Sequence, residues 1–171
     1  FGKEKPKSSQ INTAPDAVYL DDRHRLAAVA KELRALAARG RVTTVITPFG
    51  GHVTRIRDWL GAGGIVTATL ELSYRTPIPA ADEVYVVSFE TLPTLLREVH
   101  APRDFLQVER HPLRLHDEEA DRLIAANSPE HRLRIRLALD DGLLTLFDAD
   151  GSVVGLMKRL EIPENEAIEH A

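Results

Sequence analysis

Three arginines alternate with apolar residues in one short stretch, where Arg132, Arg134 and Arg136 are separated by Leu133 and Ile135. Side chains two residues apart on a β-strand point to the same face, so a strand here would line up three guanidinium groups about 7 Å apart. Such a row can bind phosphate, carboxylate or a charged partner surface. The alternative interpretation is a solvated outer face that nearby acidic residues balance.

The same region resembles the two signatures of PilZ domains. Arg132 and Arg136 fit an RxxxR pattern, and Asp150, Ser152 and Gly155 fit a DxSxxG pattern. PilZ domains bind cyclic di-GMP. The resemblance implies that the two arginines grip phosphates and guanine while Asp150 and Ser152 complete the ligand contact. It therefore suggests an anion or nucleotide sensor as one function, with this candidate site: Arg132, Arg134, Arg136, Asp150 and Ser152.

Other residue types that could do chemistry lack the spacing that chemistry needs. His111 and His116 lie near acidic residues, but five residues apart on a strand they would face opposite ways. The glycines of 61–64 precede a predicted strand, whereas phosphate-binding loops lead into a helix. No serine sits in a GxSxG elbow. We therefore expect no catalytic residue, no metal site and no cofactor.

Large apolar side chains occur at predicted loop tips. Phe49 lies in a Pro-Phe-Gly-Gly turn, and Trp59 and Leu60 precede a glycine-rich turn. Such groups either fold back onto the core or anchor a partner. Phe49, Trp59 and Leu60 are accordingly our candidate partner interface.

Composition restricts the class of protein. The chain has 171 residues, 43% of them hydrophobic and 28% charged, no cysteine and a net charge of −4. Such a chain folds as one globular domain, without disulfides or thiolate metal sites. The negative charge makes nucleic acid an unlikely partner, and no apolar run is long enough to span a bilayer. The first residue is Phe1, so we expect an excised or processed piece, and a cytoplasmic location.

Periodicity predicts an α+β domain over residues 21–162, between a flexible linker or tail (1–20) and an acidic tail (163–171). Helices are predicted at about 22–39, 92–100 and 118–126. Strands are predicted at 41–47, 52–57, 65–73, 83–89, within 104–116, and in a final meander of 131–139, 143–148 and 152–162. Hairpin connections dominate this order, which favours a mainly antiparallel sheet with about three helices.

These features together favour a non-enzymatic interaction or regulatory module of a larger protein or assembly. It would bind a protein partner or associate with itself. A small anionic ligand at the arginine row is the alternative.

Overall fold

The computed structural model describes residues 12–70, 83–99, 101–128, 130–147, 150–161, 163 and 166–170. Within these ranges the chain forms an α/β fold, in which a central sheet lies between two helical layers. The strands are β1 (Asn12–Thr13), β2 (Asp16–Tyr19), β3 (Thr43–Thr47), β4 (Ala68–Thr69), β5 (Tyr85–Ser88), β6 (Asp104–Val108), β7 (Arg132–Ala138) and β8 (Ile168–His170). The helices are α1 (Asp22–Ala37), α2 (Gly50–Ala62), α3 (Leu92–Glu98), α4 (Arg114–Asn127), α5 (Gly142–Phe147) and α6 (Ser152–Arg159).

The sheet runs in the order β4-β5-β3-β6-β7-β2-β8, and β1 adds to β7. In the described part of the chain, its five longer strands, β2, β3, β5, β6 and β7, are mutually parallel. The short edge strand β8 pairs with β2 in the antiparallel sense.

Each face of the sheet has its own apolar layer. On one face α1 and α2 pack Leu26, Leu33 and Ile56 against Val45 and Leu106. On the other face α3 and α4 pack against alternate residues of the same strands. The connections through α1 and α2 move towards β4 over the first face, and those through α3 and α4 move towards β7 over the second. These four helical connections therefore share one crossover hand.

Helix α1 forms where its sequence pattern predicts it. Asp21 caps the helix by accepting the backbone N–H of His24 at 2.8 Å. Gly40, three residues after the helix, has a φ of +66°, the left-handed conformation that glycine adopts most readily. The strand predicted at 41–47 and the helix predicted at 92–100 are present as β3 and α3.

The predicted antiparallel sheet is wrong, because a helix was interpreted as a strand. Residues 52–57, predicted as the return strand of a hairpin, lie in α2. The Gly50-Gly51 pair begins that helix and does not form a hairpin turn. With α2 in place, the chain crosses from β3 to β4 at the edge of the sheet, and β5 lies between these two strands and is parallel to both.

The predicted C-terminal meander is also wrong after its first strand. Residues 131–139 contain β7, but 143–148 and 152–162 correspond to helices α5 and α6 over their described residues. Similarly, the segment after Pro112, predicted as a strand, begins α4. The segments predicted as tails contain strands: β1 and β2 lie within 1–20, and β8 lies within 163–171. The end of the strand predicted at 65–73 lies outside the described residues.

No helix in the described ranges is both long enough and apolar enough to cross a bilayer.

Candidate functional site

The candidate site lies at the carboxyl ends of β3 and β6, which are neighbours in the sheet. The chain leaves β3 towards the α1/α2 face and leaves β6 towards the α3/α4 face. Adjacent connections that diverge in this way open a crevice, and α/β sheets hold their ligands in such crevices.

Two cavities open at this edge. The first, here called the edge crevice, has a volume of about 350 Å³ and includes Phe49, His52, Arg55, Glu109 and Asp140 in its wall. The second, called the edge groove, has a volume of about 390 Å³. The groove is lined by Pro48, Phe89, Glu90, Pro93, His111, His116, Glu119, Ala120 and Leu123.

A fully buried arginine, Arg25, forms ion pairs with three carboxylates of the edge crevice. Arg25 Nη1 donates to both carboxylate oxygens of Asp141, at 2.5 and 2.6 Å. Its Nη2 donates to Asp22 and, at 3.4 Å, to Glu109. Burial alone would lower the pKa of the Arg25 guanidinium, but the three carboxylates outweigh burial and raise it. The arginine therefore stays charged, and its charge is already neutralised inside the protein.

Glu109 also pairs with two basic residues of α2. Its carboxylate accepts from Arg55 at 3.2 Å and pairs with His52 Nδ1 at 3.0 Å. Its backbone has a φ of +76°, a conformation that costs a residue other than glycine about 1–3 kcal/mol. The strained backbone turns the chain from β6 towards α4 while its buried carboxylate stays between α1 and α2.

Burial also raises the pKa of Asp141, to about 6, although Arg25 and the backbone N–H of Ala138 act in the opposite direction. Asp141 is only 8% exposed and precedes α5 directly. The crevice thus holds its carboxylates at an energetic cost, and Arg25 offsets part of that cost.

A series of ring contacts, called the ring ladder, runs from the crevice to the groove through His52, Phe49, His111 and His116. The Phe49 ring lies 5.2 Å from the His52 ring and 5.6 Å from the His111 ring, measured between centroids. The His111 and His116 rings are 4.3 Å apart. His111 Nδ1 accepts the backbone N–H of Leu113 at 3.0 Å, which fixes the orientation of its ring. The edge therefore offers flat, partly apolar ring surface between the crevice and the groove.

The predicted arginine row lies elsewhere in the molecule. Arg132, Arg134 and Arg136 extend from β7 on the α1 face of the sheet. Both oxygens of Glu32 bind Arg136, at 3.0 and 3.1 Å, and Arg134 lies 3.3 Å from the same carboxylate. Arg132 is exposed and forms no ion pair with the described residues.

Asp150 and Ser152, which the PilZ resemblance adds to that row, bond to each other. The Asp150 carboxylate accepts the Ser152 backbone N–H at 3.1 Å, and this bond lowers the pKa of the carboxyl. Ser152 is the first residue of α6. The segment therefore forms a helix start, with Gly151 as its left-handed cap at φ +67°.

The predicted partner residues occupy three different environments. Phe49 is partly buried in the ring ladder at the site edge. Trp59 packs, partly buried, on the α1/α2 core. Leu60 is fully buried in that core and presents no surface to a partner.

Sequence reasoning missed Arg25, Asp22, Arg55 and Asp141 as site residues, and placed Glu109 only near the histidines. One signal could have found part of the set: charged pairs begin within two residues of a strand end, as in Asp21-Asp22 after β2, Glu109-Arg110 after β6 and Asp140-Asp141 after β7. Among the described residues, no group of three or more His, Asp or Glu side chains could hold a metal ion.

No protein-family model matches the sequence, and a search of curated proteins finds no match. Solved structures do show similarity. The C-terminal domain of a possible DNA helicase from Lactobacillus plantarum matches with a TM-score of 0.52 and 14% identity, over 79% of this chain and 78% of that chain. The C-terminal part of the Fun30 ATPase domain matches with a TM-score of 0.46 and 14% identity, over 68% of this chain and 41% of that chain. At this identity the first likeness shows a shared fold and no shared activity.

Proposed function

We propose that the chain is a non-enzymatic docking domain of a larger protein. In this proposal, the edge groove binds an apolar segment with basic flanks from another domain of that protein. The observation that carries the proposal is the lining of the groove, which combines an apolar floor with carboxylates and contains no lysine or arginine among the described residues.

Exposed leucines extend this apolar surface. Leu113 is 61% exposed and Leu115 is 65% exposed, and both are close in sequence to His116 of the groove wall. Leu123, which lines the groove, is 36% exposed. Apolar groups clustered beside a concave surface are typical of interfaces, whereas isolated exposed leucines are common and need no explanation. On α4, Leu115 and Leu123 lie four residues before and after Glu119 of the groove wall, so these three residues share one face of the helix.

Charge favours a basic partner over an anionic one. Glu90 and Glu119 lie in the groove wall and both are exposed. In the neighbouring edge crevice, Arg25 and Arg55 are already paired with carboxylates. A partner that carries lysine or arginine beside its apolar anchor would satisfy the acidic wall, whereas a phosphate would meet like charge.

The comparison with solved structures supports the link to a larger protein. The similar structure from Lactobacillus plantarum is described as a C-terminal domain, and the likeness covers most of it. A docking surface inside one polypeptide acts at a high effective concentration, so a modest contact area is enough to keep the domains together.

The absence of cysteine allows a direct test by thiol labelling. Leu115→Cys places one reactive thiol on the proposed surface, and Val66→Cys places one at a 90% exposed position away from it. Both variants are prepared in the 171-residue chain and in the complete product of its gene. We expect Leu115→Cys to react at least about fivefold more slowly in the complete product, because docking covers it, while Val66→Cys reacts equally in both.

Charge reversal tests the stated chemistry of the partner. Glu90→Lys combined with Glu119→Lys should restore rapid labelling of Leu115→Cys in the complete product. Equal labelling rates in both backgrounds would overturn the proposal. If Leu115→Cys in the isolated chain reacts more slowly as the protein concentration rises, the partner is a second copy of the chain and not another domain. If slower labelling requires added nucleic acid, the partner is nucleic acid.

A further inference from the structure

We propose that Arg132 and Arg134, at the start of β7, form a binding site for a tetrahedral oxyanion of the phosphate type. Arg41 lies behind them as a third cation. The site is on the α1 face of the sheet, at the end opposite the edge groove, so it is independent of the docking function proposed above.

The local carboxylates are mostly committed to other arginines. Asp104, which is fully buried, accepts from Arg41 Nε through Oδ2 at 2.8 Å. Its Oδ1 lies 3.8 Å from Arg134 Nη1, too far for a hydrogen bond. Glu32 binds Arg136 with both of its oxygens. Arg134 therefore shares Glu32 with Arg136 and makes no hydrogen bond to Asp104, whose Oδ1 has no hydrogen-bond partner among the described residues.

Two guanidinium groups at this point have donors without acceptors. Arg41 Nη2 and Arg134 Nη1 are buried and have no hydrogen-bond partner among the described residues. A buried donor without an acceptor is costly, so such groups usually mark a place for a water molecule, an ion or a ligand. Arg132, which is exposed and lies two residues before Arg134 on β7, extends from the same face of the sheet.

The balance of charge favours an anion. Four arginines (Arg41, Arg132, Arg134 and Arg136) gather on this part of the sheet, and three carboxylates accompany them. Those carboxylates are Glu32, Asp104 and the exposed Glu130, whose charge acts on Arg41. One positive charge remains without a counterpart, and guanidinium groups bind phosphate oxygens through paired N–H donors.

A cavity of about 310 Å³ opens beside these donors. It is lined by Ala14, Arg132, Leu133 and Arg134. Two of its four lining residues are arginines, and none of the described residues that line it is acidic. The chemistry therefore fits a phosphate group, whether it belongs to a small phosphorylated molecule or to a nucleic-acid backbone.

Binding of inorganic sulfate, inorganic phosphate and a ten-nucleotide single-stranded DNA tests the proposal. Affinity is measured by titration calorimetry, with chloride at matched ionic strength as the reference. Arg132→Gln should weaken the bound probe about tenfold or more, because a charge-assisted hydrogen bond contributes on the order of one to two factors of ten in affinity. Arg122→Gln, which changes an exposed arginine on α4, should leave affinity unchanged.

Arg132 is exposed, so its replacement leaves the fold intact and the result can be read directly. Arg134→Lys is the second variant, because lysine keeps the charge but loses the paired donors, and a severalfold loss is expected. Binding of sulfate and phosphate would identify a small anion as the source, whereas binding of DNA alone, weakening steeply with salt, would identify a polymer. Failure of all three probes, or equal binding by wild type and Arg132→Gln, would overturn the proposal.

Discussion

Arg25→Met is the substitution that tests the edge crevice most directly. Methionine keeps much of the volume of the arginine side chain but removes the positive charge that contacts Asp141, Asp22 and Glu109 together. Removing one partner from a buried ion pair costs about 3–5 kcal/mol, because the other partner is left as an uncompensated buried charge. We expect a loss of that size in the free energy of unfolding at pH 7.5.

The loss should depend on pH in a defined direction. Burial already raises the pKa of Asp141 to about 6 in the presence of Arg25, which acts to lower it. Without Arg25 that pKa rises further, so the folded variant takes up a proton at a pH where the wild type does not. Each pH unit of differential uptake by one full proton is worth about 1.4 kcal/mol, but Asp141 of the wild type is itself about half protonated at pH 6. The cost of Arg25→Met should therefore be about 1.5 kcal/mol smaller at pH 6 than at pH 7.5.

Urea unfolding at the two pH values, followed by the fluorescence of the single tryptophan, measures both quantities. Asp141→Asn in the Arg25→Met background should recover part of the loss at pH 7.5, because it removes the unpaired charge. Arg122→Met on the exposed side of α4 is the matched control and should change stability by less than about 0.5 kcal/mol. A cost below about 1 kcal/mol for Arg25→Met, or an equal cost at both pH values, would refute this account of the crevice.

Two further predictions concern titratable groups outside the site. His131 is 1% exposed, accepts the Arg103 backbone N–H at 3.0 Å through Nδ1 and contacts Asn127 Oδ1 at 2.8 Å through Nε2. Burial lowers its pKa from 6.5, so its contribution is present above that value and is lost as the pH falls, and His131→Gln should flatten the change in melting temperature between pH 5 and pH 8. Burial raises the pKa of Asp121 from 3.8 to about 6, against the attraction of Arg110. Asp121→Asn should therefore stabilise the fold at pH 7.5 by about 1–2 kcal/mol, after allowance for solvent screening, and by nothing near pH 4. A constant gain across that range would contradict the assignment to Asp121.

Local patterns predicted the elements whose signals are self-contained. Helix α1 has apolar residues at helical spacing and an aspartate cap, and β3 is a β-branched run, so both were placed correctly. Helix α2 was missed because Gly50-Gly51 resembles a hairpin turn, although Val53, Ile56 and Leu60 recur at helical spacing. That single error changed a parallel crossover into an antiparallel hairpin.

Buried polar residues interrupt the apolar runs by which parallel strands are recognised in a sequence. Strand β6 is buried along its whole length, including Asp104 and Gln107. Parallel strands covered on both faces normally read as continuous apolar runs. Here Asp104 accepts from Arg41, and Gln107 donates to Asp117 at 2.9 Å, so each polar residue has a partner that the sequence does not reveal.

The site itself was beyond local reasoning because its members are distant in the chain. Arg25 meets Glu109 across 84 residues and Asp141 across 116 residues. The strand order brings the ends of β2, β6 and β7 to one edge, and the sequence analysis did not predict that order.

The correct strand order also separates the two proposed sites in space. The edge groove lies beyond the carboxyl end of β6 on the α4 side, whereas the oxyanion cavity lies at the amino end of β7 on the α1 side. Strands β6 and β7 are direct neighbours, and a seven-residue strand such as β7 spans about 20 Å. A charge change in the groove is thus farther from Arg132 than the screening length of physiological salt, about 8 Å. Glu119→Lys should therefore leave phosphate affinity unchanged, and Arg132→Gln should leave the protection of Leu115→Cys unchanged, so each proposal can fail without affecting the other.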